Sequence, residues 1–478
     1  MESKKYIFHE NIILLILAAA ALMDTLDSFI VNVAMPTISK SLHISGDNNL
    51  QWLITAYGLA FAGFLILAGR LSDIYGKRKI FITGVTLFGV ASLLAGLSST
   101  FTLLIICRGF QGLGAAFISA SALSSLISIF EEGKARNRAM IIWGTVNIGG
   151  ATLGVVFGGL ITQYINWHWI FFFNVPISAL ILCVTPFFVP KLSGRGIASL
   201  KKFDLLGTFL VTSGLITLIY GLTKAPSYGW SDHKVTELLV AATILLGAFI
   251  VNELKVPEPL LNLSLFRKGN VGAASILGLL VTGVGGTLLF FLSLYNQQVL
   301  GYSPVKAGLS LLPLLVLLVA VLQVVRKLLN RFGYKKVIIG QLILLAIGYL
   351  SLLRLPVGGQ YINYELPSLI ILGLGVPAGM GITLAATSGI KNKESGAVSG
   401  VYNTATQIGG PLMLAILSTI AATYTTKYAA ANHTNLASAV HGIHAAFIAA
   451  TAFILLATLL CVFILKQLPV KPEKSSLV

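Results

Sequence analysis

The stretch GRLSDIYGKRK, residues 69–79, joins two apolar runs near 50–69 and 80–99. It returns in degenerate form as RKLLNRFGYKK, residues 326–336, between runs near 306–325 and 337–355. Gly76 is matched by Gly333, and Lys77-Arg78-Lys79 by Tyr334-Lys335-Lys336. A short basic connector with about 20 apolar residues on either side reads as a cytoplasmic loop between two helices that cross a hydrocarbon core of about 30 Å. Its return in the second half of the chain implies two related halves.

The rest of the 478 residues agrees. Hydrophobic residues make up 56% and charged residues 10%, well below the roughly 25% charged of a soluble domain. The mean hydropathy is +0.88. Fourteen candidate spans can be read, near 11–33, 50–69, 80–99, 102–128, 139–162, 169–190, 205–224, 236–252, 271–295, 306–325, 337–355, 366–389, 398–424 and 442–465. With fourteen spans, 26 of the 33 Lys and Arg fall on the side holding both termini and six on the other. The positive-inside rule places that side in the cytoplasm. The net charge of +17 is thereby spread over loops, and no nucleic-acid partner is needed to explain it. Cys107, Cys183 and Cys461 all lie in apolar runs, which gives neither a disulfide framework nor a metal-ligand cluster. No nucleophile or nucleotide-binding motif occurs in a suitable setting, so the chain is read as an integral membrane protein and not as an enzyme.

Three charges remain at membrane depth: Asp24 and Asp27 in the first span and Arg108 in the fourth. Each costs about 2.5–3.5 kcal/mol there, so such residues usually face a cavity and carry function. Asp27 and Arg108 both lie about six residues, roughly 9 Å, from the outer ends of their helices. Asp24 is one turn deeper on the same face as Asp27, since i and i+3 are helix neighbours. Arg108 and one aspartate can form a fixed ion pair, but one guanidinium does not neutralise two carboxylates. The resulting charge of −1, with all three ionised, favours proton uptake, a cationic substrate, or both in alternation. It disfavours multivalent anions.

At these residues the chain resembles the major facilitator superfamily, and within it the fourteen-span drug:proton antiporters. GRLSDIYGKRK is similar to the family's loop motif G-x-L-x-D-x-x-G-R/K-R/K, with Gly69, Asp73, Gly76 and Arg78 in place. LDSFIVNVAMPTI (26–38) resembles the first-helix motif that carries Asp27. CRGFQGLGAA (107–116) resembles R-x-x-Q-G-x-G-A-A, with Arg108, Gln111 and Gly112. WHWIFFFNVP (167–176) resembles W-R-W-I-F-x-I-N-V-P. Two departures stand out. Asp24 is an extra acid, and the fifth-helix motif ending G-P-x-x-G-G reads GVVFGG (154–159), with Val155 where proline is expected.

The resemblance implies an all-α membrane fold of fourteen helices. Two six-helix bundles, 1–190 and 271–478, would be separated by a linker with two inserted spans, 191–270. It implies proton-coupled export of drugs by alternating access, no cofactor, a bacterial cytoplasmic membrane and action as a monomer. The charge balance points to lipophilic cations or neutral amphiphiles. A transporter of the same fold for one physiological solute stays open as the alternative. Asp27 with Arg108 is expected to carry the proton and Asp24 to meet the cation. Gln111, Asn296, Gln297, Asn403 and Gln407 are candidate substrate contacts, the second half being read as free of membrane-embedded charge. Asp73, with Gly69, Gly76 and Arg78, is expected to latch the cytoplasmic helix ends, although topology anchoring explains the basic residues equally well. Gly150, Gly154 and Gly158 recur every four residues and offer a smooth face for close helix approach.

Overall fold

The computed structural model describes residues 2–44, 50–130, 134–191, 204–257, 259–260, 263–388, 392–431 and 434–467. Within the bilayer every backbone N–H and C=O has to be satisfied internally, and apolar runs of this length therefore become helices. The first group is α1 (Glu2–Ser41), α2 (Trp52–Tyr75), α3 (Lys77–Gly96), α4 (Phe101–Ile129), α5 (Lys134–Tyr164), α6 (Trp169–Phe172), α7 (Asn174–Phe188), α8 (Leu205–Tyr228) and α9 (His233–Lys255). Then come α10 (Val271–Leu294), a π-helical turn (Tyr295–Val299), α11 (Pro304–Ser310), α12 (Leu312–Phe332) and α13 (Tyr334–Ser351). The last are α14 (Tyr361–Gly375), α15 (Ala378–Thr387), α16 (Asn392–Ala430) and α17 (Asn435–Phe463).

Local chemistry sets the ends. Thr100 and Thr434 accept from Leu103 N and Ala437 N, both at 3.3 Å, and Asp204 accepts from Gly207 N at 2.7 Å. These side-chain oxygens cap amides that have no partner inside the helix. The repeated loop appears as repeated geometry. Gly76 (φ 97°) ends α2 and starts α3, and Gly333 (φ 81°) does the same between α12 and α13. Only glycine takes that φ without strain.

The expectation of fourteen spans is corrected. Among the described residues, twelve helices are long and apolar enough to cross a membrane. A thirteenth is added if Trp52–Leu65 and Leu67–Tyr75, set at 49° to each other, count as one. The two expected spans outside the twelve are 50–69, which lies on that bent α2, and 139–162, which lies on α5. The α5 stretch carries Thr145, Asn147 and six glycines, and its side chains at 141, 144, 145, 147 and 148 lie outside the description. Of the basic residues placed inside, Arg195, Lys201, Lys202, Lys391, Lys471 and Lys474 also lie outside the described residues.

Nor do the described helices show two six-helix bundles with an inserted two-helix hairpin between them. The chain divides into one unit of Met1–Leu260 with Gly301–Leu309 and another of Leu261–Leu300 with Ser310–Val478. The pair α8 and α9 belongs to the first unit: Thr212 Oγ1 donates to Gly63 O of α2 at 2.9 Å. Asn252 of α9 donates to Asp204 at the start of α8 at 2.5 Å. The first unit's core includes Leu17, Met23, Phe81, Phe88 and Ile118. In the second unit Phe447 packs edge-on against Phe291 and tilted against Tyr349, both at 6.0 Å, and Tyr349 OH donates to Val284 O at 2.9 Å.

Candidate functional site

The first unit brings Asp24, Asp27, Arg108 and Gln111 together, and it adds three residues that the sequence reading did not single out. Arg108 and Asp27 are fully buried, and Arg108 Nη1 lies 2.5 Å from Asp27 Oδ2. Asp27 Oδ1 accepts from Asn174 Nδ2 at 2.6 Å and from Gln111 Nε2 at 3.2 Å. Gln111 is itself fixed: its Oε1 accepts from Arg108 Nη1 at 2.9 Å, and its Nε2 donates to Ser92 Oγ at 2.8 Å. Arg108 Nε donates to Leu53 O of α2 at 2.8 Å. The Asp27 carboxylate thus has three side-chain donors, from α4 and α7, one of them cationic. Hydrogen bonds to a charged group are among the stronger ones, about 1.5–3 kcal/mol.

Asp24 is held differently. Tyr57 OH donates to Asp24 Oδ1, and the Arg108 guanidinium stands over the Tyr57 ring, 4.4 Å from its centre. A cation over that face is attracted by the ring quadrupole. Tyr57 therefore sits between Asp24 and Arg108, bonded to one through its hydroxyl and to the other through its ring. Asp24 is the less buried of the two acids, with 9% of its surface exposed.

Close helix contact makes this possible. A Cβ on Gly112 would stand 2.1 Å from Tyr57 O, so only glycine lets α4 approach α2 closely enough for Arg108 to reach Leu53. On the other flank of α1, Cβ atoms at Gly150, Gly154 and Gly158 would meet Thr25 Cβ at 3.0 Å, Leu26 O at 2.7 Å and Ile30 O at 2.6 Å. The glycine stripe of α5 is thus spent on the helix that carries both aspartates. At Val155, the position of the missing proline, the carbonyl oxygen lies 2.8 Å from where a Cβ on Gly308 would be.

The loop residues serve the same unit. Lys77 Nζ donates to Ser124 O at 3.0 Å and to Ser128 Oγ, and Arg78 Nη1 donates to Val189 O at 3.0 Å. These bonds tie the start of α3 to α4 and to the end of α7. Asp73 is exposed, and Gly69 has open space around its Cβ position.

The second unit carries the remaining amide candidates on two elements, the π-helical turn and α16. Asn296 is fully buried in the π-helical turn, Gln297 Nε2 donates to Ser293 Oγ at 3.0 Å, and Asn403 and Gln407 are half-buried on α16. The reading of this half as free of buried charge is corrected: Glu365 on α14 is 1% exposed and accepts from Asn296 Nδ2 at 2.9 Å. The expected span began at 366, just before Pro367, whereas the helix begins at Tyr361. Of the residues missed, Asn174 was legible as the asparagine of WHWIFFFNVP. Tyr57 and Ser92 stand inside apolar runs with nothing in the sequence to mark them. Among the described residues no group of three or more His, Cys, Asp and Glu side chains is disposed to hold a metal ion.

Comparison with known proteins establishes the family of the chain. The family model described as Major Facilitator Superfamily matches residues 17–414. The puromycin resistance protein pur8 of Streptomyces alboniger is 36% identical over 446 residues, covering 92% of this chain and 87% of that protein. The tetracenomycin C resistance and export protein of Streptomyces glaucescens is 34% identical, covering 88% and 78%. The methylenomycin A resistance protein of Bacillus subtilis is 30% identical, covering 88% and 89%. In fold the chain is similar to an auto-inhibited POT family peptide transporter, with a TM-score of 0.68 at 14% identity and coverage of 97% and 98%. A bacterial homolog of the human lysosomal transporter Spinster gives a TM-score of 0.67 at 14% identity, covering 95% and 96%. The chain therefore belongs to the Major Facilitator Superfamily, as a multi-pass transporter of the bacterial cytoplasmic membrane.

Proposed function

We propose that the protein exports lipophilic cationic or neutral amphiphilic compounds in exchange for protons, by exposing the Asp24/Asp27 site alternately to the two sides of the membrane. The observation that carries this reading is the unequal pairing of two neighbouring buried acids, Asp27 held by Arg108 and two amides and Asp24 by the Tyr57 hydroxyl. Asp27, with three donors including Arg108, acts as the fixed anion. Asp24, with Tyr57 as its donor and the greater exposure, is the carboxylate for which an incoming proton and a cationic substrate compete. Protonation converts Asp24 from anion to neutral acid and releases the cation, and loss of the proton restores the attraction. This assigns the exchange to Asp24, where the sequence alone pointed to Asp27. One inward proton at a membrane potential of about 100 mV gains about 2.3 kcal/mol, which supports a gradient of about fiftyfold for a neutral cargo; one-for-one exchange with a monovalent cation moves no net charge and draws on the pH difference alone. The relatives named for resistance to puromycin and for resistance to and export of tetracenomycin C support the outward direction of transport.

The test uses inverted membrane vesicles with an acidified interior and a fluorescent pH probe inside. Puromycin or ethidium added to wild type is expected to drive proton release, and Asp24→Asn is expected to abolish it. Release by neither compound, with Asp24→Asn and Asp27→Asn both behaving as wild type, would falsify the exchange reading.

A further inference from the structure

We infer that Glu365 is a second proton-carrying group of the transporter, a deepening that rests on the exchange reading above. The second unit buries this carboxyl without giving it the means to stay charged. Asn296 Nδ2 uses both of its hydrogens, one on Glu365 Oε1 and one on Ser310 Oγ, each at 2.9 Å. Asn296 is fully buried and Glu365 and Ser310 nearly so. Glu365 Oε2 and Asn296 Oδ1 are both buried and, among the described residues, have no hydrogen-bond partner. A carboxylate with one amide donor and a bare second oxygen is a costly species in hydrocarbon, because an isolated buried charge is penalised far more than a neutral polar group. A proton on Oε2 converts it to a neutral acid.

Titratable groups lie on α14, on the helices packed against it and on α17, which packs against the π-helical turn. Tyr361 OH donates to Ser310 O at 2.7 Å, Tyr349 OH donates to Val284 O, and His444 Nε2 pairs with Leu355 O at 3.0 Å. His441, also on α17, stacks on Tyr428, and Arg354, in the turn before α14, is exposed. On α12 the basic residues Arg326, Lys327 and Arg331 lie near its C-terminal end, more than a dozen residues from Leu312. Among the described residues no ion pair is formed with Glu365.

The backbone around the group is specialised too. Asn296 stands in the π-helical turn Tyr295–Val299 at the end of α10, and such turns recur at functional sites because they re-aim side chains that an α-helix would place elsewhere. Tyr295 OH, donating to Pro356 O at 2.7 Å, anchors the turn. The step is a simple exchange: the Glu365 carboxylate and a proton from one aqueous side form the acid, and the same proton leaves to the other side as the carboxylate returns.

The experiment counts protons released per ethidium exported in the inverted vesicles for wild type, Glu365→Gln and Glu365→Asp. The glutamine carbonyl can still accept from Asn296 but cannot carry a proton. Glu365→Gln is expected to export ethidium with one proton fewer per cycle, and its steady-state gradient at about 100 mV to fall about fiftyfold. Glu365→Asp is expected to keep the wild-type count. A Gln variant that equals wild type in protons per ethidium would overturn the inference, as would a pattern in which Gln restores transport and Asp does not, which marks a structural clamp. Wild-type vesicles that release no protons would remove the exchange reading and this inference with it. A measurement on the wild-type protein does not depend on any variant folding. Dicyclohexylcarbodiimide, an apolar reagent for protonated carboxyls, is expected to label the Glu365 peptide in acid buffer and progressively less as the pH rises. An unlabelled Glu365 beside a labelled Asp24 would overturn the inference.

Discussion

The acid site of the first unit and that of the second differ in what surrounds the carboxyl. Asp27 has a buried guanidinium at 2.5 Å and two amide donors, whereas Glu365, among the described residues, has one amide and no ion-pair partner. Burial alone therefore does not fix the state of a membrane carboxyl. Several donors converge on Asp27, the acid proposed to stay fixed. One amide meets one oxygen of Glu365, the acid proposed to exchange its proton. Asp24, buried with one phenol donor, stands between the two.

The largest expected effect comes from removing the cation. Arg108→Leu leaves a buried anion unpaired and is expected to cost about 3–5 kcal/mol, read as a fall in the melting temperature of the purified protein. Adding Asp27→Asn to that variant recovers part of the loss, because no orphan charge then remains. Glu365→Gln, which keeps its hydrogen bond, is expected to cost less than about 1 kcal/mol. Equal losses for Arg108→Leu and Glu365→Gln would break the comparison.

Geometry comes next. Gly112→Ala forces α2 and α4 apart at Tyr57 O and is expected to cost about 1–3 kcal/mol, the usual range for overpacking. Because Arg108 also loses reach to Leu53 O, transport is expected to fall with stability. A stable and fully active Gly112→Ala would show that the first site tolerates looser packing than its contacts imply.

Two smaller effects sharpen the distinction between holding and exchanging. Tyr57→Phe removes the donor to Asp24 but keeps the ring under Arg108, so stability is expected to change by about 1 kcal/mol while the pH profile of ethidium export is displaced. An unmoved profile would mean that Asp24 does not exchange the proton. Asp73→Asn, at an exposed position, is expected to change stability by less than about 0.5 kcal/mol. A several-fold slower export rate in that variant would support the latch; an unchanged rate would leave the loop as an anchor.

Much of the first site was legible. Asp24, Asp27 and Arg108 stand out because charge in an apolar run is costly, and their depths along two helices matched. Gln111 and Asn174 lie within motifs that the sequence displays. Tyr57 and Ser92 did not stand out, since a tyrosine or serine in a spanning helix is unremarked until its neighbour is known. Glu365 was missed for a different reason. Pro367 looks like the start of a helix, and a boundary drawn there leaves the acid outside, although the chain is already helical from Tyr361. The count of spans went wrong at α2 and α5, where a bend and a glycine-rich stretch depart from straight apolar helices.

The sequence by itself determined that the chain lies in a membrane, that its loops are basic on one side, that the loop motif repeats around Gly76 and Gly333, and that two acids and an arginine are left in the bilayer. These follow from composition and from the cost of charge in hydrocarbon, both properties of the linear chain. Only the tertiary structure decided which donor each acid receives, that the α5 glycines face the acid-bearing helix, and that a π-helical turn delivers Asn296 to Glu365. Those depend on which helices meet and at what distance, and a hydrogen bond is lost within about 1 Å of displacement.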